Sequence, residues 1–143
     1  MVNPEIGAII DDFDLLGDWD QRYQYLVEIG ERLAPMAAGD KTDDNLVKEC
    51  MSRVHVAVHP VGDNPPRINY TGDCDTAIIK GVVAILVQLY SGKHPAEVED
   101  LDVDALFKGL HLEEHLSPNR HVGVYAIVEK MKRQARSIAG GAA

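Results

Sequence analysis

Cysteine is scarce in this chain: two residues, Cys50 and Cys74, among 143. They form no CxxC pair, and two cysteines make no disulfide framework, which excludes a cysteine-stapled extracellular scaffold. In a reducing compartment such cysteines do chemistry, bind metal or fill a core. Basic residues are outnumbered, 14 Lys and Arg against 23 Asp and Glu, for a net charge of −9. A nucleic-acid binder needs a basic footprint that is missing here. An acidic surface suits electrostatic docking on a basic protein partner. No apolar run reaches the roughly 18 to 20 residues of a membrane span. The opening "MVNPEIGAIIDDFD" has neither the basic region nor the long apolar segment of a secretory signal, so the expected location is cytoplasmic. Repeats, low-complexity tracts and a Gly-rich phosphate loop are absent as well. What is present, 45% hydrophobic and 26% charged residues, is ordinary globular composition. The length suits one domain over 1–143, with an ordered core of about 4–138.

Apolar spacing places the elements. Ile6, Ile9, Ile10 and Phe13 recur as on one helical face, and Pro4 fits a first turn. Asp18 is positioned to cap a second helix, with Gln21 three residues on as in a capping box. Trp19, Tyr23, Leu26, Val27 and Gly30 would line its face, and it should end near Leu33, before Pro35. "RVHVAVH" alternates, with Val54, Val56 and Val58 on one side and Arg53, His55, Ala57 and His59 on the other. "RINYTG" follows a turn and places Ile68 and Tyr70 together. The two form an antiparallel hairpin, extended by residues 46–48 to about three strands.

"DCDTAIIKGVVAILVQLY" is the most apolar segment and predicts a central helix capped by Asp73 or Asp75. Gly81 inside it costs about 1 kcal/mol against alanine, which suggests another backbone approaching closely. After short helices and turns, Ser117 caps a last helix with Pro118 at its first position. Val122, Tyr125 or Ala126, Val128 and Met131 would face inward. Lys130, Lys132, Arg133 and Arg136 would sit near its end and complement the helix dipole. The order predicts an α+β fold, several helices packed against a small antiparallel sheet.

Few residues carry chemistry. Cys50 follows a polar connector and precedes the first clear strand, flanked by Lys48, Glu49, Ser52 and Arg53, which are poor core neighbours. Lys48 and Arg53 would lower its pKa, and Glu49 would raise it. Cys74 is expected at the N-terminus of the central helix, where Asp73 and Asp75 oppose a thiolate; a small apolar filler is the simpler reading. His55 and His59, with Cys50, Cys74 and Asp75, could form a zinc site, but the spacing is no ligand signature and exposed strand histidines explain them as well. "HLEEH" is not the HExxH order, so His111 and His115 suggest no metalloprotease. These residues alone name no reaction.

Four segments together resemble the SufE family of sulfur-acceptor proteins, including its CsdE branch, over about residues 9–136. "DWDQRYQYLVEIGERL" (18–33) is similar to W-x-x-[RK]-Y-x-x-[LI]-[IV]-E-x-G. "NLVKECMSRVHV" (45–56) is similar to N-x-V-x-G-C-x-S-x-V-W. "GDCDTAIIKGVVAIL" (72–86) is similar to G-D-S-D-A-x-I-V-K-G-L-x-A. "HLSPNRHVGVYAI" (115–127) is similar to H-L-[ST]-P-S-R-x-x-G-x-x-A-[MI]. The resemblance implies a SufE/IscU-like α+β fold. It implies that Cys50 takes sulfur from the persulfide of a pyridoxal-phosphate cysteine desulfurase of the SufS or CsdA type. The sulfur would pass to iron–sulfur scaffold proteins, and the desulfurase would be stimulated. The chain itself would hold no cofactor and no metal and would not catalyse alone. It would contact neither nucleic acid nor membrane, with a homodimer left open.

By the same resemblance Cys50 sits on a loop tucked near "GDCD", Ser52 fixes the loop turn, Asp75 helps hold the resting loop, and Arg120 contacts loop carbonyls or the desulfurase, with a structural salt bridge as the equal alternative. Four departures from the family sit at the site itself. Glu49 replaces a glycine, removing backbone freedom and adding an anion beside the thiol. Met51 replaces a glutamine and His55 a tryptophan. Cys74 replaces a serine and, if the loop tucks as expected, could pair with Cys50 or share a metal with it. The alternative reading is a metal-binding, iron–sulfur scaffold-like protein using Cys50, His55, Cys74 and Asp75.

Overall fold

The computed structural model describes residues 4–50, 52–62, 66–101 and 103–141. Its order is α1 (Pro4–Leu15), α2 (Trp19–Glu31), two single-turn 3-10 segments (Ala38–Asp40 and Asp43–Asn45), β1 (Val54–Val61), β2 (Arg67–Cys74), α3 (Ala77–Tyr90), α4 (Pro95–Asp100), α5 (Val103–Gly109), α6 (Leu112–His115) and α7 (Pro118–Gly141). This is the expected α+β arrangement. Among the described residues, however, the sheet has two strands rather than about three. The segment 46–48 is reduced to one bridge, Leu46 to His55, and one hydrogen bond, Val47 N–H to the Val54 carbonyl at 2.8 Å. A turn at Lys48 and Glu49 follows at once, so the chain cannot run alongside β1 any further.

The strands pair antiparallel from Val54 opposite Cys74 to Val61 opposite Arg67. Ile68, Tyr70, Gly72 and Cys74 are buried along one face of β2, and Val54 and Val56 along β1. That face is covered by α3 and α7. Val58 is only half-buried and Ala57 is buried, so the alternation expected for β1 holds at its start and blurs toward the turn. Two polar bonds tie α7 across the sheet: Tyr70 Oη donates to the Met131 carbonyl at 2.6 Å, and Gln134 Nε2 donates to the Val56 carbonyl at 2.8 Å.

Asp18 caps α2, its carboxylate accepting from Gln21 N–H at 2.9 Å. The buried face of α2 is Leu26, Ile29 and Gly30; Tyr23 is exposed, and the helix stops at Glu31. Gly81 does permit close approach. A Cβ there would lie 2.3 Å from the Leu26 carbonyl oxygen, and one on Gly30 would lie 2.9 Å from the Gly81 nitrogen. Overpacking of this kind costs roughly 1–3 kcal/mol, so the paired glycines set the α2–α3 distance.

Three expectations at helix ends change. β2 runs through Cys74, so α3 starts later, at Ala77, behind Thr76, which makes no side-chain cap bond. Neither Asp73 nor Asp75 caps it. In α7 the buried stripe is Val124, Ile127, Val128, Met131 and Ala135, whereas Val122 is 61% exposed. Because α7 continues to Gly141, Lys130, Lys132, Arg133 and Arg136 lie along its middle, with no base in its last turn. Two of them serve α4: Lys132 Nζ reaches the Glu99 and Leu101 carbonyls at 3.5 Å, and Arg136 pairs with Glu99. The cations thus complement the carbonyl end of a neighbouring helix.

Candidate functional site

Cys50 lies in the loop between Val47 and Val54. The loop is drawn shut at its base by the Val47–Val54 hydrogen bond, and inside it Cys50 N–H donates to the Val47 carbonyl at 3.3 Å. Lys48 and Glu49 are exposed, while Cys50 is half-buried and packs on the apolar core. Glu49 has no left-handed backbone; among the described residues other than glycine only His111 has a positive φ, 56°. The loop therefore accepts glutamate without strain at that position.

The loop is latched to the start of α3. Past the last strand pair, Arg53 N–H donates to Asp75 Oδ1 at 2.9 Å, and Asp75 N–H donates to the Arg53 carbonyl at 3.3 Å. One step further, the hydroxyls of Ser52 and Thr76 are 2.6 Å apart. The Asp75 carboxylate also accepts from the Thr76 hydroxyl at 3.3 Å. Ser52 and Asp75, singled out in the sequence, thus meet at the latch, and Thr76 joins them although it was not singled out. Its only signal was a hydroxyl beside Asp75.

A second wall comes from α7. A Cβ built on Gly123 would stand 2.8 Å from the Cys50 sulfur, inside van der Waals contact. The sulfur fills the space a side chain at 123 would take. Gly123 was visible in the sequence as the glycine of the fourth matched segment, with no role assigned to it. Arg120 lies in the first turn of α7, but its side chain is outside the described residues, as is that of His115; Met51 is outside altogether.

Burial pushes the Cys50 thiol above its ordinary range. The Ser52 N–H opposes this, and the Asp75 charge adds to it. Cys74 ends β2, buried, and its thiol is pushed up to about 11, chiefly by burial. Thr76 N–H, 3.4 Å from its sulfur, works the other way, and the charges of Asp75, Cys50 and Asp73 reinforce burial. Cys74 is therefore a strand-end core residue, not a helix-terminus thiol. Asp73 is held below the usual carboxylate range, first by its hydrogen bond to Lys41, with Nζ at 2.8 Å.

The alternative metal set is not assembled. His55 pairs with Asp73 in the ladder and projects to the face opposite Cys74, beside Lys41, Arg53 and Asp75 in an open cleft of about 460 Å³. Among the described residues no three His, Cys, Asp or Glu side chains converge as a metal-holding group. Among these same residues, no helix is long and apolar enough to cross a membrane.

Comparison with known proteins finds matches along nearly the whole chain. A family model described as "SufE: Fe-S metabolism associated domain" matches residues 7–135. A SufE-like protein of Rhizobium etli is 38% identical over 132 residues, covering 92% of this chain and 89% of the relative. A SufE-like protein of Rhizobium meliloti is 36% identical over 131 residues, covering 91% of this chain and 94% of the relative.

Proposed function

Because the chain belongs to the SufE family, whose domain is associated with Fe–S metabolism, we propose that Cys50 is a sulfur acceptor serving a cysteine desulfurase. The observation that carries the proposal is the setting of the thiol. Cys50 is half-buried on a short loop, tied at its base and held on its C-terminal side by a few polar contacts that solvent can replace.

Transfer is an exchange between sulfurs. The Cys50 thiolate attacks the outer sulfur of the desulfurase persulfide. A new S–S bond forms on Cys50, the old S–S bond breaks, and the desulfurase cysteine leaves as thiolate. At rest, burial and the Asp75 charge both favour the protonated thiol, which is a poor nucleophile. Release of the Ser52–Thr76 and Arg53–Asp75 contacts would carry the sulfur into water or into the partner site, where both effects fade. The loop thereby couples reach to activation. Returned to the Gly123 seat, the persulfide is screened from solvent reductants and oxidants. The net charge of −9 favours a basic docking face on the desulfurase. An iron–sulfur scaffold is the onward acceptor in this reading, and the protein works in the cytoplasm.

The test is intact-protein mass spectrometry after incubation with a cysteine desulfurase and free cysteine. The expected result is a gain of one sulfur atom, mapped to the Cys50 peptide and lost in Cys50→Ser. No gain with a desulfurase that turns over normally would end the proposal.

A further inference from the structure

We propose that Cys50 and Cys74 form a reversible intramolecular disulfide, with Cys74 as the resolving thiol once a peroxide has oxidised Cys50. The two sulfurs are held in matching ways on facing segments. Cys50 faces the N–H of Ser52, two residues on. Cys74 accepts from the N–H of Thr76, also two residues on, at 3.4 Å. The hydroxyls of Ser52 and Thr76 then touch at 2.6 Å. Each cysteine thus lies two residues before one member of the same hydroxyl pair. The Cys50 charge adds to the raising of the Cys74 thiol pKa, after burial and Asp75. A loop that can shift supplies the adjustment a disulfide demands in Cα separation and torsion.

The chemistry balances with a peroxide as oxidant. The Cys50 thiolate attacks one peroxide oxygen, the O–O bond breaks, and the departing hydroxide is protonated to water. Cys50 is left as a sulfenic acid. The Cys74 sulfur attacks the Cys50 sulfur: an S–S bond forms, the S–O bond breaks, and the hydroxyl leaves as water with the Cys74 proton. An external dithiol restores both thiols by two exchanges. Burial keeps Cys74 from direct oxidation, so Cys50 reacts first and the order of events is set. The crosslink fastens the loop to the end of β2, where Cys50 can neither leave its seat nor accept sulfur. That last consequence rests on the sulfur-acceptor reading; the bond itself does not.

The experiment uses the full reduced chain with hydrogen peroxide and no desulfurase, followed by alkylation of free thiols and peptide mapping. The expected product is a monomer lighter by two hydrogens, with neither cysteine alkylated and the Cys50 and Cys74 peptides joined, reversed by dithiothreitol. In Cys74→Ser, and in Cys74→Ala as a second variant checked for native circular dichroism, Cys50 should instead be trapped as a sulfenic acid by dimedone and proceed to sulfinic acid. Wild-type Cys50 in sulfinic form beside an alkylated Cys74 would overturn the proposal. So would two alkylated thiols, or a disulfide between chains. Because no desulfurase is present, failure here leaves the transfer proposal intact. Failure of reduced protein to load sulfur likewise leaves the disulfide intact. If both hold, the oxidised protein should load sulfur at least about ten-fold more slowly, recovering on reduction.

Discussion

The sulfur of Cys50 rests against Gly123, in the space where a side-chain carbon at that position would sit, 2.8 Å away. A loop residue and a helix residue 73 positions apart therefore set each other's chemistry: the helix shows bare backbone, and the thiol gains its cover there.

Gly123→Ala should push the loop out without unfolding the helix. Alanine gains about 1 kcal/mol of helix propensity over glycine, and overpacking costs roughly 1–3 kcal/mol. The neighbour is a loop side chain that can retreat, so net stability should stay within about 1 kcal/mol of wild type. Cys50 should meanwhile react faster with iodoacetamide. Thermal denaturation and alkylation rates, taken together, check this; unchanged alkylation would mean that the seat does not shield the thiol.

Ser52→Ala and Thr76→Val each remove one partner of the 2.6 Å hydroxyl contact. A hydrogen bond of this kind contributes about 1 kcal/mol, which corresponds to roughly a five-fold rise in loop opening. Cys50 alkylation should rise by about that factor in either variant. The double variant should add little more, since the two changes break the same contact.

Asp75→Asn keeps an oxygen for the Arg53 N–H and removes the negative charge. Burial is the first cause of the raised thiols, and Asp75 adds to it at both Cys50 and Cys74. Without the charge, both thiol pKa values should fall, which ultraviolet thiolate absorbance can follow against pH. A rise in either would contradict the assigned geometry.

Alkaline stability should bear the mark of Cys74. Its thiol is raised from 9.0 to about 11 in the folded chain. Below pH 9 it is protonated in both states, and its contribution to stability is intact. Between pH 9 and about 11 the unfolded chain ionises first, so stability is lost as pH rises. Urea unfolding of wild type should weaken across that window, and Cys74→Ala should weaken less steeply from its own lower starting stability.

Local signals in the sequence were enough for much of the fold. The spacing of Ile9 and Phe13, the cap at Asp18, the alternation from Val54 and the long apolar run from Ala77 all act within a few residues, and each reappears in the structure. Gly81 was legible because an interior helix glycine has few explanations other than close packing. The errors fall where partners are distant in sequence. Where β2 ends is decided by pairing with Val54, not by the composition of "DCD", so Cys74 could not be placed on the strand beforehand. Lys132 and Arg136 of α7 gave a misleading end signal because they reach across to α4.

By itself, the sequence determined the class of fold, the family and the one thiol set in a charged loop, because periodicity, composition and motif order are properties of the chain alone. The latch from Ser52 to Thr76, the Gly123 seat, the raised thiol of Cys50 and the placing of Cys74 behind the same hydroxyl pair were decided only in three dimensions. Burial, hydrogen bonding and through-space charge depend on which distant segments meet, and a thiol's reactivity follows those neighbours more than its own position in the chain.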